Sequence, residues 1–291
     1  MIITKIIGGL GNQMFQYAVG RHLSIKNNTT LKLDIHGFTN YELRKYDLGH
    51  FNILEDIATP EDLSNVVFPS DSGICKVRKF LKGKITKAQR INHIKEQNLN
   101  FQPDILNIGD NNYLDGYWQS EEYFADIEDT IKKEFSLKSQ PDPINETFVG
   151  KITDCESVSI HIRRGDYISN PKTAQVHGFI GLEYYQKAIN IVLNQISDPH
   201  FFVFSDEPEW AIRNIKSDAK ITFIKHNGLK NFEDMRLMSN CKHHIIANST
   251  FSWWGAWLSR GNDKIVIAPK KWFANREYSN TEIIPSNWLQ I

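Results

Sequence analysis

The stretch "SVSIHIRRGDYIS", from Ser157 to Ser169, decides how the C-terminal half of the chain folds. Its first part, Ser157 to Ile162, alternates small polar and branched apolar residues, which predicts a half-buried strand. Arg163 and Arg164 follow at once, and Asp166 comes two residues later. Two permanent charges at the end of a buried strand either lie in solvent, paired with an acid such as Asp166, or bind a doubly negative ligand.

The sequence beyond residue 147 predicts a regular alternation of strands and helices. We predict strands over 158–162, 201–204, 221–224, 244–247 and 264–268, and helices over 182–196, 209–216, 232–239 and 251–258. Strands that alternate with helices at this spacing indicate right-handed βαβ units and a parallel, doubly wound sheet. Ligands of such sheets bind just beyond the carboxyl ends of the strands.

Polar clusters follow three of these predicted strands, at the edge where ligands bind. The clusters contribute Arg163, Arg164 and Asp166, then Ser205 and Asp206, and finally Asn248, Ser249 and Thr250. Guanidinium groups bind phosphate oxygens in a planar fork, and the start of a helix offers backbone N–H groups to an anion. Ser249 or Thr250 can also act as a helix N-cap, and both roles are compatible. The coincidence of the clusters at one edge favours a bound ligand over a solvated loop.

The two arginines are expected to differ in role. Adjacent residues on a strand point to opposite faces, so one arginine can readily meet the ligand directly. We expect the other either to pair with an acid such as Asp166 or to reach the ligand where the strand has ended.

The N-terminal half begins with a predicted strand over 2–7 and a glycine-rich turn, "GGLGNQ", that leads into a helix. Asn12 and Gln13 of this turn are candidate donors to a ligand. The turn matches the dinucleotide fingerprint only in part, because Met14 occupies the third small position.

The middle of the chain is less regular. Residues 41–112 show no sustained period, and a helix is predicted over 123–135 with Ser120 as its N-cap. The segment 139–146 contains two prolines and is the predicted linker. Its position gives two predicted domains, over 1–140 and 147–291.

The composition excludes several classes of protein. Lysine plus arginine equals aspartate plus glutamate, 34 against 34, so no overall field attracts nucleic acid. The three cysteines have no repeated spacing, which predicts a reducing cytoplasm and no disulfide framework. No apolar run is long enough to span a membrane.

Five motifs occur in order along nearly the full chain: "GGLGNQMFQYA", "GYWQSEEYF", "HIRRGD", "FSDEPEW" and "ANSTFSWWGAWL". They resemble the α-1,2-fucosyltransferases of glycosyltransferase family 11, whose H-x-R-R-x-D motif is similar to "HIRRGD". The resemblance implies an α/β, GT-B-like fold of two Rossmann-like domains. It places the donor on the parallel sheet of the C-terminal half and the acceptor on the N-terminal domain.

The resemblance implies an enzyme that transfers L-fucose from GDP-fucose, with inversion, to the 2-hydroxyl of a terminal galactose. It assigns Arg163 and Asp166 to the catalytic set, with His161, Arg163 and Arg164 at the nucleotide. It places Asp234 on the guanine edge. By the same resemblance Ser249 and Thr250 hold phosphate, and Asn12 lies near the β-phosphate and fucose. The chain has no D-x-D pair for a metal-bound diphosphate, so we expect arginine to supply that charge, without a metal or other cofactor.

The expected partners are GDP-fucose and a galactose-terminated or lipid-linked glycan acceptor, without nucleic acid. The segment 76–95 is basic and contains no acidic residue. A solvated surface is the ordinary explanation of such a segment. The alternative is contact with an anionic surface, which would place this cytoplasmic protein peripherally on the inner face of a bacterial membrane.

Two other classes of function stay open at the level of the sequence. A nucleotide-sugar or dinucleotide oxidoreductase needs an acid about 20 residues after the fingerprint, and Asp34 meets that spacing while Met14 argues against it. A carbohydrate-binding module without catalysis would bind galactosides but not GDP.

Overall fold

The computed structural model describes residues 1–40, 44–67, 90–165, 167, 170–261, 263–274 and 282–291. These residues form two compact units, Met1–Ser136 and Leu137–Ile291. Asp166 and the basic residues of segment 76–89 lie outside the described residues, so the expectations attached to them stay predictions. Within the described residues, no helix is both long and apolar enough to cross a membrane.

The first unit is built on a five-stranded parallel sheet with strand order β2-β1-β5-β4-β3. Its strands are β1 (Ile2–Lys5), β2 (Leu31–Asp34), β3 (Val66–Val67), β4 (Ile91–Lys95) and β5 (Asn112–Asp115). Its α-helices are α1 (Leu10–Lys26), α2 (Pro60–Ser64) and α3 (Glu128–Glu134). Short 3-10 helices cover His36–Asn40, Leu48–His50, Pro103–Asn107, Glu121–Tyr123 and Ala125–Ile127.

Helix α1 lies against the sheet because its small and apolar residues allow a close approach. Met14, Phe15 and Ala18 are fully buried. Gly20 has no room for a side chain, because Thr4 of β1 and Leu31 of β2 lie directly against it. The helix therefore follows β1 immediately and packs over it, as the sequence predicts.

The rest of the first unit differs from the sequence-based prediction. The segment 41–112, predicted to be irregular, contains β3, β4 and α2 among its described residues. The single helix predicted over 123–135 is interrupted at Phe124, whose backbone leaves the helical region at φ −145° and ψ 14°. Helix α3 begins only at Glu128, while the Ser120 hydroxyl accepts a bond from the Glu122 N–H at 3.4 Å.

The second unit carries a six-stranded parallel sheet with strand order β11-β10-β9-β6-β7-β8. The strands are β6 (Glu156–Ile162), β7 (Pro199–Ser205), β8 (Lys220–Ile224), β9 (His243–Ile245), β10 (Val266–Ala268) and β11 (Leu289–Gln290). The helices are α4 (Pro143–Thr153), α5 (Pro171–His177), α6 (Leu182–Gln195), α7 (Pro208–Asn214), α8 (Asn231–Asn240) and α9 (Thr250–Leu258). Every predicted strand and helix of this half is present, with ends shifted by a few residues.

The predicted linker, 139–146, was wrong in its second half. Asp142 is the N-cap of α4, and its carboxylate accepts the Asn145 N–H at 2.9 Å. Pro143 occupies the first turn of that helix, where the missing N–H costs nothing. The prolines therefore mark the start of a helix.

The core of the second unit lies on both faces of its sheet. One face packs Ile160, Ile162 and Val203 against α6, and the other packs Phe202 and Phe204 against α8. Trp253, Trp254 and Trp257 of α9 are buried, which confirms their prediction as core residues. The register pairs Ile162 of β6 with Ser205 of β7, so both strands end at the same level of the sheet.

Candidate functional site

The carboxyl edge of the second sheet joins the ends of β6 and β7 through one carboxylate. Asp206 Oδ2 lies 3.0 Å from Arg163 Nη1, and Asp206 Oδ1 accepts the Arg164 backbone N–H at 2.9 Å. The Arg163 side chain remains 21% exposed, so its guanidinium is accessible while it is held by Asp206. Asp206, which the sequence places among the ligand contacts, is therefore an acid that pairs with Arg163 within the part of the chain that the structure describes.

Arg164 is held on the opposite side by a different set of groups. Its Nε donates to Glu207 Oε2 at 3.0 Å. Its guanidinium carbon lies 4.0 Å from the centre of the Trp210 ring and 4.6 Å from that of Phe179. A guanidinium stacked on aromatic rings and paired with a carboxylate stabilises its own loop. Each arginine therefore has its own carboxylate partner, Asp206 for Arg163 and Glu207 for Arg164, and the expected difference in their contact with a ligand stays a prediction.

Gly165 allows Asp206 to approach this closely. A Cβ atom at Gly165 would lie 2.7 Å from Asp206 Oδ2, closer than non-bonded atoms permit. A larger residue at position 165 would therefore have to displace the Asp206 carboxylate, which follows β7.

His161, near the end of β6, provides a buried hydrogen-bonding atom at this edge. The residue is 5% exposed, and its ring packs against that of Phe251 in α9 at a centroid distance of 5.5 Å. Its Nδ1 is buried and has no hydrogen-bond partner among the residues that the structure describes. Burial, with the charge of Arg163, lowers the pKa of His161 to about 3, so the imidazole is neutral at physiological pH. Such an orphaned atom is the strongest local indication that a ligand belongs here.

Helix α9 begins at the same edge, after β9. Ser249 is its N-cap by backbone geometry, yet the Ser249 side chain makes no capping hydrogen bond. The first-turn N–H groups of a helix have no intrahelical partner, so this end can bind an anion. The Asn248 amide nitrogen donates to Gly178 O at 3.3 Å and to Trp272 O at 3.1 Å, and its expected contact with the donor stays a prediction. Ser205 likewise accepts the Glu207 N–H at 3.0 Å and shapes the turn after β7.

Asp234 lies in the first turn of α8, which follows β8 at the other side of the sheet. Burial raises the pKa of this carboxyl to about 6, with a smaller contribution from Glu233. Asn227 Nδ2 donates to Asp234 Oδ1 at 2.8 Å and opposes that rise. A desolvated carboxylate at the edge of a parallel sheet suits a ligand that offers hydrogen-bond donors.

The turn after β1 forms a separate cluster at the carboxyl edge of the first sheet. Gly8 adopts φ +79°, a conformation that favours glycine. Asn12 Oδ1 accepts a hydrogen bond from Gln119 Nε2 at 3.0 Å. Gln13 is buried, and its Nε2 donates to Gly8 O at 2.9 Å and to Lys45 O at 2.8 Å, so both amide hydrogens stabilise loops of the fold.

The "GYWQSEEYF" segment is shaped by Glu96, a residue that sequence reasoning missed. Glu96 accepts the backbone N–H groups of Tyr117 at 2.7 Å and Trp118 at 2.9 Å. Trp118 has φ +56°, which is rare for a bulky residue, and Gly116 has no space for a Cβ beside Glu96. The segment joins the "GGLGNQ" turn through Gln119, so these two motifs of the first unit build one cluster. The signal for Glu96 is non-local, because the acid lies 21 residues before Tyr117.

The model of the family Glycosyl transferase family 11 matches residues 1–291. An alpha-1,2-colitosyltransferase of Escherichia coli is 34% identical, over 100% of this chain and 99% of its own. A galactoside 2-alpha-L-fucosyltransferase, Sec1, of Mus musculus is 28% identical over 53% of this chain and 43% of its own.

Among solved structures, the crystal structure of NodZ alpha-1,6-fucosyltransferase soaked with GDP-fucose matches with a TM-score of 0.53. The match covers 89% of this chain and 92% of that chain at 15% identity, and a further crystal structure of NodZ is from Bradyrhizobium. Together with the two parallel sheets, this match confirms the predicted GT-B-like fold.

Proposed function

The chain belongs to glycosyl transferase family 11, and we propose that it transfers L-fucose from GDP-fucose, with inversion, to the 2-hydroxyl of a terminal galactose. The full-length match to an alpha-1,2-colitosyltransferase supports an α-1,2 linkage, and the partial match to a galactoside 2-alpha-L-fucosyltransferase supports fucose and galactose. The observation that carries the proposal is the second sheet's carboxyl edge. There Arg163 and the orphaned Nδ1 of His161 lie at the end of one strand, and a desolvated carboxylate lies two strands away.

Arg163 is proposed to stabilise the diphosphate as it leaves. Negative charge grows on GDP while fucose becomes positively charged, so a fixed guanidinium stabilises the transition state more than the ground state. Asp206 orients this guanidinium from 3.0 Å, and the N-terminus of α9 adds backbone donors from Ser249 and Thr250. The sequence has no D-x-D pair, which supports a transfer that needs no metal ion.

Asp234 is proposed to select guanine. Guanine presents N1–H and N2–H₂ donors side by side, and an ionised carboxylate accepts both, whereas adenine offers no such pair. His161, neutral because its pKa is about 3, is proposed to make one hydrogen bond to the nucleotide through Nδ1. Asp166 is also proposed to be one of the catalytic residues, together with Arg163.

The first unit is proposed to serve the acceptor, a galactose-terminated or lipid-linked glycan. Asn12 is proposed to reach the donor's phosphate and fucose, with Gln119 holding its side chain at 3.0 Å. Gln13, whose amide hydrogens bind backbone carbonyls, is proposed as a positioning residue for the same turn.

A second candidate donor carries colitose, the 3-deoxy form of L-fucose. It is favoured by the 34% identity to the alpha-1,2-colitosyltransferase over the full chain. Both donors share the GDP moiety, so the same Arg163 and Asp234 chemistry would serve either. Turnover with GDP-fucose and GDP-colitose, compared on lactose, separates them.

Calorimetric titration of GDP, ADP and NAD, each alone, tests the proposed nucleotide. We expect GDP to bind and ADP and NAD to bind at least tenfold more weakly, because Asp234 accepts two hydrogen bonds from guanine alone. Asp234→Ala should weaken GDP binding by about tenfold or more. Loss of hydrogen bonds to a charged group costs ~1.5–3 kcal/mol. Preference for NAD would support an oxidoreductase, and galactoside binding without GDP binding would support a carbohydrate-binding module.

A further inference from the structure

A line of three side chains connects the start of α4 to Asp234. His226 Nε2 lies 3.0 Å from Asn145 Oδ1, Asn145 Nδ2 donates to Asn227 Oδ1 at 2.8 Å, and Asn227 Nδ2 donates to Asp234 Oδ1 at 2.8 Å. Asn145 is fully buried and Asn227 is 6% exposed. We call His226, Asn145 and Asn227 the amide chain.

The direction of the hydrogen bonds in the amide chain is fixed by chemistry. An ionised carboxylate only accepts, so Asn227 must turn its NH₂ group toward Asp234 and its oxygen toward Asn145. Asn145 then donates to Asn227 and, at 3.1 Å, to Asp142 Oδ1, which uses both of its amide hydrogens. Its oxygen can therefore only accept, and His226 must donate from Nε2. All three donors point toward Asp234, and aligned hydrogen bonds strengthen one another.

The far end of the amide chain is held rigidly. His226 stacks on Phe148 of α4 at a centroid distance of 4.8 Å and an interplanar angle of 13°. Asp142 accepts the Asn145 backbone N–H at 2.9 Å and is paired with Lys230 at 3.3 Å. Helix α4 thus anchors the loop that follows β8. Two buried amides, Asn145 and Asn227, thus connect α4 to the half-buried Asp234 carboxylate and favour one position for it.

The charges around Asp234 come from α8 and from the loop and α4 beside it. On α8, Glu233 is paired with Arg236 at 2.8 Å. Beyond the amide chain lie His226, Asp142 and Lys230. Burial raises the pKa of Asp234 to about 6, Glu233 adds to the rise, and the Asn227 hydrogen bond lowers it. Asn227 is therefore the neighbouring group that favours the ionised carboxylate.

We propose that Asn145 and Asn227 are positioning residues that keep Asp234 ionised and oriented for the paired donors of a guanine base. The inference rests on the proposed function, because it assumes that Asp234 binds the nucleotide. It adds two residues that sequence reasoning had assigned to a linker and a loop. It also predicts that nucleotide affinity depends on pH, because protonated Asp234 cannot accept both guanine hydrogen bonds.

The test is the GDP dissociation constant as a function of pH, from pH 5 to 8.5, by calorimetry. Wild-type affinity should be constant above about pH 6, where Asp234 is ionised, and should fall by up to tenfold per unit below it. Asn227→Ala removes the donor that favours the ionised Asp234 carboxylate. The pH at which GDP affinity begins to fall, the midpoint of the curve, should therefore be higher in this variant. At pH 7 this variant should bind GDP about tenfold more weakly, while its preference for GDP over inosine diphosphate, which lacks the 2-amino group, should shrink.

The matched control is Asn240→Ala, at the exposed end of the same helix, where the amide donates to Arg236 O at 2.8 Å. It should leave the midpoint and the affinity unchanged. Asn227→Asp keeps the size of the side chain and the acceptor for Asn145, and it should move the midpoint up even if Asn227→Ala does not fold. The positioning role is overturned if every variant at residue 227 that folds keeps the wild-type pH midpoint of GDP binding. A wild type that does not bind GDP would instead overturn the proposed function.

Discussion

At the scale of the residue, the proposed role of Asp234 in nucleotide selection has a consequence for the stability of the protein. Its pKa is raised from 3.8 to about 6 in the folded protein, mainly by burial. A carboxyl whose pKa is higher in the folded state destabilises the protein when ionised. This cost is absent below about pH 3.8, grows between pH 3.8 and about 6, and is constant above that.

Asp234→Asn should therefore stabilise the protein at neutral pH. The substitution keeps the size of the side chain and an oxygen for the Asn227 donor, while it removes the buried charge. We expect a gain on the order of 1–3 kcal/mol at pH 8 that disappears toward pH 4, together with loss of selective GDP binding. Urea denaturation at both pH values measures it, with Asp263→Asn, an exposed acid, as the control. A gain that is equal at pH 4 and pH 8 would contradict the assignment to Asp234.

Sequence reasoning located the residues of the second sheet's edge but not all of their partners. It separated Arg163 from Arg164 because strand alternation is a local property. It did not predict the pairing of Asp206 with Arg163 or of Glu207 with Arg164, because the register of β6 and β7 cannot be read from either strand alone, while the pairing expected of Asp166 stays a prediction. Asn145 and Asn227, 82 residues apart, escaped notice for the same reason.

At the scale of the element, α9 owes its position to Gly255. A Cβ atom at Gly255 would lie 3.0 Å from Met238 Cβ in α8, so the two helices touch at this residue. Gly150 of α4 provides a contrast, because a Cβ there would meet nothing within 4 Å. Both glycines are inside helices, where alanine is favoured by roughly 0.5–1 kcal/mol when space allows.

Gly150→Ala and Gly255→Ala should therefore change stability in opposite directions. Gly150→Ala should raise the free energy of unfolding by about 0.5–1 kcal/mol. Gly255→Ala should lower it by about 1–3 kcal/mol, because the Cβ of Met238 cannot move without its backbone. Gly255→Ala should also weaken GDP binding, since α9 carries Ser249 and Thr250 at its start. Thermal and urea unfolding measure both, and stabilisation by Gly255→Ala would show that the helices do not pack this closely.

The elements that could be predicted are those with strong local patterns. In the second unit, long apolar strands alternate with helices, and each was found. In the first unit β3 has two residues and β4, "INHIK", has two apolar ones, so neither carries a clear period. β3 pairs with β4, and β4 pairs with β5, so both strands depend on contacts distant in sequence. The linker prediction is wrong at residues 143–146 because proline is typical both of a linker and of the first turn of a helix, and Pro143 begins α4.

At the scale of the whole molecule, the charge balance and the fold concern where an anion can bind. Positive and negative side chains balance, 34 against 34, so any anion must be bound by local groups. Each unit has its own parallel sheet with polar clusters at the carboxyl edge. The family match spans both units.

The most direct test of the central claim is the rate of fucose transfer from GDP-fucose to lactose in excess EDTA, for wild type and for Arg163→Lys. If Arg163 carries the diphosphate without a metal, the wild-type rate should be the same with and without EDTA. Arg163→Lys should fold normally yet lose roughly 10²–10³-fold in turnover, because lysine cannot bridge two phosphate oxygens. Arg164→Lys, which changes a residue stacked on Trp210 and Phe179, should lose less. Loss of wild-type activity in EDTA that manganese restores, or near-normal turnover by Arg163→Lys, would contradict the claim.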